Sequence, residues 1–143
     1  MRYILDEGNS PVGISLWYPG NTAWTDYHFV KNLQGDVLKV YKVSDQSLVA
    51  SYTYDAWGNI LSKSGTLADI NPFRYRGYYY DTETGLYYVS SRYYDPEIGR
   101  FINADGFVST GQDITGYNMF AYCGNNPINR KDPTGQFWIT ALI

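Results

Sequence analysis

The chain has 143 residues, and its 11 Lys and Arg stand against 14 Asp and Glu for a formal net charge of −3. That length fits one domain or a piece of a larger one, and 44% hydrophobic against 17% charged residues excludes the composition of a disordered chain. The lack of a basic run excludes electrostatic nucleic-acid binding, one Cys excludes an intrachain disulfide framework or a Cys-based zinc site, and one His excludes a pair of imidazoles.

From the N-terminus, Met1 to Gly13 carries no apolar stretch behind a basic start, so no signal peptide is read there. Short β-rich runs between turn signals then predict strands at Val12–Trp17, Tyr27–Lys31, Asp36–Val43, Leu48–Tyr54, Asn59–Lys63, Phe73–Tyr80, Leu86–Arg92 and Arg100–Ile102. In the fourth run Leu48, Ala50, Tyr52 and Tyr54 alternate onto one face. One short helix is expected at about 114–123, opened by Asp113 and closed by Gly124-Asn125. The last seven residues, Phe137 to Ile143, are apolar but far short of the roughly 20 needed to span a bilayer. His28 reads as structural, and Cys123 as a packed thiol.

Tyrosine dominates. There are 16, and Tyr75, Tyr78, Tyr79, Tyr80, Tyr87, Tyr88, Tyr93 and Tyr94 crowd into one stretch. Tyrosine favours strands and packs its ring while keeping a hydroxyl for a partner. A repeat runs through the same region: Tyr-Asp, a short gap, Gly, then an apolar strand. It starts at Tyr54-Asp55, Tyr80-Asp81 and Tyr94-Asp95, with glycines at Gly58, Gly85 and Gly99, and a looser form runs from Asn32 to Gly35. Tyr ends a strand, the Asp carboxylate folds back on following backbone N–H groups, and Gly takes a positive φ. The expected architecture is mainly β: an antiparallel β-hairpin sheet with the one short helix.

These motifs resemble the RHS/YD-repeat proteins, and in particular their RHS repeat-associated core. Val30 to Val37 and Tyr52 to Asn59 are similar to its entry repeats. Phe73-Arg74-Tyr75-Arg76-Gly77-Tyr78-Tyr79-Tyr80-Asp81, Ser91 to Pro96 and Gly99-Arg100-Phe101 are similar to the core. Asn118 to Tyr122 with Asn125-Asn126-Pro127 and Asp132-Pro133-Thr134-Gly135 is similar to its closing motif. The resemblance covers roughly residues 27–135. It divides the chain into repeat strands at 1–63, a core at 64–135 and a C-terminal extension at 136–143, which reads as truncated and without a toxin domain.

The resemblance implies a β-shell enclosing a C-terminal toxin, with the core closing one end and cutting the chain after its own closing motif. The partners implied are upstream repeats and that toxin, and the setting is secreted or cell-surface as part of a larger protein. By the family pattern Asp105 and Asp132 are the acid/base pair, Arg100 (or, second, Arg92) is their arginine, and the cut falls at Gln136-Phe137. Two close carboxylates share a proton, so one activates water while the other polarises the scissile carbonyl. Gly106 stands where the family has proline, and Gln136 where leucine is common. Other readings stay open: Asp105 and Asp132 as turn formers, the tyrosines as a carbohydrate-binding surface using Tyr78 or Tyr88, or the whole as an inert remnant. No cofactor, metal or membrane span is expected. A sheet fragment also leaves edge strands open to self-association.

Overall fold

The computed structural model describes residues 1–89, 92–102, 130–131 and 139–140. Antiparallel hairpins form two principal sheets. The first contains β1 (Arg2–Leu5), β2 (Pro11–Leu16), β3 (Thr25–Lys31), β4 (Val37–Lys42), β5 (Leu48–Tyr54) and β6 (Ile60–Ser64), each beside its neighbour in the chain. The second contains β7 (Tyr79–Asp81), β8 (Leu86–Val89), β9 (Arg92–Asp95) and β10 (Arg100–Phe101), again in chain order. A separate pair joins β11 (Arg130–Lys131) to β12 (Ile139–Thr140).

Alternation of side chains builds the first sheet. On β5, Ala50 and Tyr52 are buried, while Ser51 and Thr53 face outward and reach across to Ser64 (Oγ–Oγ 2.7 Å) and Ser62 (Oγ1–Oγ 2.6 Å). Leu48, expected to share a face with Ala50 and Tyr52, is 51% exposed. The β4–β5 register shifts between Val40 and Tyr41, where Tyr41 pairs with Leu48, and this bulge breaks the alternation at the start of β5.

The turns work as the repeat predicts. Asp55 Oδ1 accepts from the N–H groups of Trp57 (2.8 Å) and Asn59 (3.0 Å), Asp81 from Glu83 (3.0 Å) and Asp95 from Glu97 (2.9 Å). In the looser form Asn32 Oδ1 takes the N–H groups of Gln34 and Asp36, both at 3.0 Å. Asp6 does the same for Gly8 and Ser10, both at 2.9 Å. That first turn joins β1 to β2. The sequence did not mark β1, because all four of its residues are exposed and show no apolar period.

Two predicted strands are corrected. Phe73–Tyr80 is not one strand. Phe73 makes a single bridge to Tyr79, and between them lies a 3-10 turn at Tyr75–Gly77. Arg76 at φ 56° and Gly77 at φ 70° are both left-handed there, which no extended strand accommodates. Leu86–Arg92 is also two pieces: β8 ends at Val89, and Arg92 opens β9 opposite it. The helix expected at 114–123 lies outside the described residues.

The core has two adjoining parts. Ile14, Leu16, Tyr27, Val37, Val40, Ala50, Tyr52, Leu67, Ala68 and Phe73 fill the first. Tyr75, Tyr78, Tyr87, Val89, Tyr94 and Phe101 fill the second, and Tyr54 packs against both. Residues 65–78 connect the sheets, and Tyr52 Oη donates to Ala68 O at 2.8 Å to hold the start of that connection.

Candidate functional site

The joint between the sheets is the most elaborated part of the molecule. The Asp55–Asn59 turn projects from the β5–β6 hairpin into the second sheet, and three successive carbonyls of it each accept a tyrosine hydroxyl. Tyr75 donates to Ala56 O (2.9 Å), Tyr94 to Trp57 O (2.5 Å) and Tyr87 to Gly58 O (2.9 Å). Asn59 Nδ2 adds a bond to Pro96 O at 2.8 Å, in the turn that follows β9. The glycines of two repeats make the approach possible. A Cβ on Gly58 would stand 2.6 Å from the Tyr75 ring, and one on Gly99 2.7 Å from the Trp57 ring. The tyrosines thus combine aromatic packing with obligatory satisfaction of turn carbonyls. Burial pushes the Tyr54 and Tyr87 hydroxyls well above the usual tyrosine range, and Tyr52 is raised by the same cause.

A second fixture sits beside it. The Tyr75–Gly77 turn is tied to the first sheet by Arg74 O, which accepts from Val37 N–H at 3.0 Å, and by Asp36 Oδ1, which accepts from Arg76 N–H at 2.8 Å. The Asp36 carboxylate also stands 3.7 Å from Arg76 Nη1, with both side chains buried. Asn32 Nδ2 donates to the other Asp36 oxygen at 2.9 Å. Sequence reading passed over Asp36, Arg74 and Arg76. The one available signal was two arginines within an aromatic stretch that otherwise reads as core.

Of the predicted catalytic residues, Asp105 and Asp132 lie outside the described residues, as do Gln136 and Phe137. Arg100 is exposed on β10, opposite Asp95, and makes no ion pair with a described residue. Arg92, the second choice, is 4% exposed with its guanidinium 3.5 Å above the Phe101 ring. The strands flanking the Asp132 motif pair with each other, Lys131 opposite Ile139 and Arg130 opposite Thr140. The two tyrosines named for carbohydrate separate. Tyr78 is 6% exposed and packs edge-on to Tyr75 and Tyr87, so its ring has no open face. Tyr88 is 45% exposed, in register with Tyr79 on one side and Tyr93 on the other. Among the described residues no group of three or more His, Cys, Asp or Glu is placed to hold a metal, and no helix is long and apolar enough to cross a membrane.

Comparison with known proteins gives concordant results. A family model described as Teneurin YD-shell matches residues 21–128. The chain is 39% identical over 132 residues to the tRNA3(Ser)-specific nuclease WapA of Bacillus spizizenii, covering 92% of this chain and 6% of that protein. It is 30% identical over 136 residues to salivary gland surface protein 1 of Aedes aegypti, covering 94% of this chain and 4% of that one. Among solved structures, the TcdB2-TccC3-Cdc42 crystal structure aligns with a TM-score of 0.69 at 25% identity, over 89% of this chain and 7% of that chain. The chain therefore spans a small fraction of the length of each relative.

Proposed function

Because the chain belongs to the Teneurin YD-shell family, we propose that it is the closing segment of a β-shell that encloses a C-terminal polypeptide, a toxin in the bacterial relatives. The observation that carries this reading is the asymmetry of the first sheet. Among the described residues nothing pairs with the outer edge of β1, which suits strands from upstream repeats, while the Asp55–Asn59 turn near the other edge is clamped by Tyr75 of the connection and by Tyr87 and Tyr94 of the second sheet. A sheet that can grow at its β1 edge and whose last hairpin turn is clamped by the following segments suits an end-piece. The secreted or cell-surface setting follows from the same kinship, since one relative is named a surface protein.

The reading includes self-cleavage after Asp132-Pro133-Thr134-Gly135, with Asp105 and Asp132 as the acid/base pair and Arg100 neutralising charge beside them. Exposure of Arg100 on β10, without an ion partner among the described residues, is compatible with that role. The test is intact mass of the chain extended at its C-terminus by a reporter, purified near neutral pH, for wild type, Asp132→Asn and Asp105→Asn. Loss of the reporter in wild type but in neither variant is the expected result, with a new terminus at Gln136 or Phe137. An intact, folded chain in all three removes the protease and leaves the closing role.

A second reading has its own observation. Tyr79, Tyr88 and Tyr93 lie side by side across β7, β8 and β9, at 40%, 45% and 39% exposure. Such a row of half-open rings offers a stacking surface for sugars. Glycan binding that Tyr88→Ala abolishes supports it, and binding unaffected by that change removes it.

A further inference from the structure

A groove of about 610 Å³ lies between β6 and β7, lined by Ile60 to Lys63 on one side and by Asp69, Arg74 and Tyr80 on the other. Its β6 wall is a free sheet edge. β6 is the last strand of its sheet, and no described residue pairs with the side turned away from β5. Unpaired N–H and C=O groups along such an edge are a template for another strand.

The inner side of the groove carries an unusual charge. Arg74 is 1% exposed. Its Nε donates to Asn71 O at 3.1 Å, and one terminal nitrogen, Nη2, donates to Ala68 O at 3.0 Å and Asp69 O at 3.5 Å. The guanidinium carbon stands 4.6 Å from the Tyr80 ring centre and 5.4 Å from that of Tyr52. No carboxylate among the described residues lies within ion-pair distance. The nearby acid, Asp69, is committed to Lys63 at the exposed rim. A desolvated guanidinium held by carbonyls and rings, without a counter-charge, is a strong site for an anion.

We propose that this groove docks an extended peptide segment bearing a carboxylate, whose backbone pairs with the β6 edge while its acidic side chain reaches Arg74. Strand addition supplies main-chain hydrogen bonds, and a side-chain site at a fixed register supplies selectivity. A free anion would answer Arg74 alone and leave the edge open, so the two features together select a peptide. β6 is five residues long, which sets the occupant at about five residues, or roughly 17 Å of strand. This proposal stands independently of shell closure and of self-cleavage.

The test uses the full chain and changes the probe rather than the protein, since Arg74 also holds the connection between the sheets. A fluorescein-labelled heptapeptide Thr-Val-Thr-Asp-Thr-Val-Thr is titrated by fluorescence anisotropy, alongside its Asn counterpart and a version N-methylated at alternate amides. Binding of the first is expected, at least about tenfold weaker binding of the Asn peptide, and none of the N-methylated one. Slower amide exchange within 60–64 on binding is expected as well. Failure of the acidic peptide to bind, equal affinity for the Asn peptide, or binding that survives N-methylation would each overturn the proposal.

Discussion

Asp36 shows how much one carboxylate can organise. It sits at the end of an Asn32-led turn, yet its oxygens also hold Arg76, forty positions on, through a main-chain N–H and a buried charge. Asp36→Ala removes the carboxylate beside the buried Arg76 guanidinium and the acceptor of the Arg76 main-chain N–H. The expected loss is about 3 kcal/mol, read from urea unfolding monitored by circular dichroism. Asp36→Asn keeps an oxygen for the N–H and recovers part of that loss. Arg76 also explains a limit of sequence reading. A non-glycine residue at φ 56° gives no compositional sign of itself, so the run from Phe73 to Tyr80 looks like one aromatic strand. What diverts it is the carboxylate of Asp36, too distant in the chain for any local rule to find.

At the scale of the element, the repeat turn was readable in detail and its second use was not. Asp at the start and Gly at the end are required by the turn itself, and Asp55, Asp81 and Asp95 all act as expected. That the carbonyls of one such turn receive two hydroxyls from the other sheet and a third from the connection follows only from packing. Gly58 and Gly99 therefore carry a double constraint: a positive φ, and a neighbouring ring where a Cβ would sit. Gly99→Ala is expected to cost about 2–3 kcal/mol, against roughly 1 kcal/mol for Gly85→Ala, whose added Cβ meets only the Tyr80 hydroxyl at 3.8 Å. Paired thermal melts of the two variants measure the difference. Tyr87→Phe strands the carbonyl of Gly58 and should cost about 1–2 kcal/mol, with no effect on far-ultraviolet circular dichroism below the transition. The core itself was legible only in part: β5 shows its inner face in Ala50 and Tyr52, but the bulge that turns Leu48 outward leaves no mark in the alternation.

For the whole molecule, the buried tyrosines set an upper pH limit. Tyr54 and Tyr87 are pushed above the ordinary value of 10.0, chiefly by burial. A group whose folded value is raised contributes its full stability below the unfolded value and loses it as pH climbs beyond, here above about 10. Spectrophotometric titration should show two phases. The buried Tyr54 and Tyr87 ionise late, in a steep step that coincides with loss of near-ultraviolet circular dichroism. A single smooth curve for all tyrosines would contradict this packing. The catalytic pair expected from the family pattern, Asp105 and Asp132, lies outside the described residues.

Both principal sheets are laid down strictly in chain order, β1 to β6 and β7 to β10, so within each sheet every strand after the first pairs with the one made just before it. For a polymer, this means that loop-closure entropy is small at every step of pairing. Within each sheet, a strand after the first finds its neighbour already in place when it emerges from the ribosome. The bonds from Tyr87 and Tyr94 back to the Asp55–Asn59 turn, like that from Arg76 back to Asp36, are long-range, and those of Tyr87 and Tyr94 can form only after the second sheet has arrived. Delivery of the chain and assembly of the fold therefore run in the same direction, with the joint as the last piece to set.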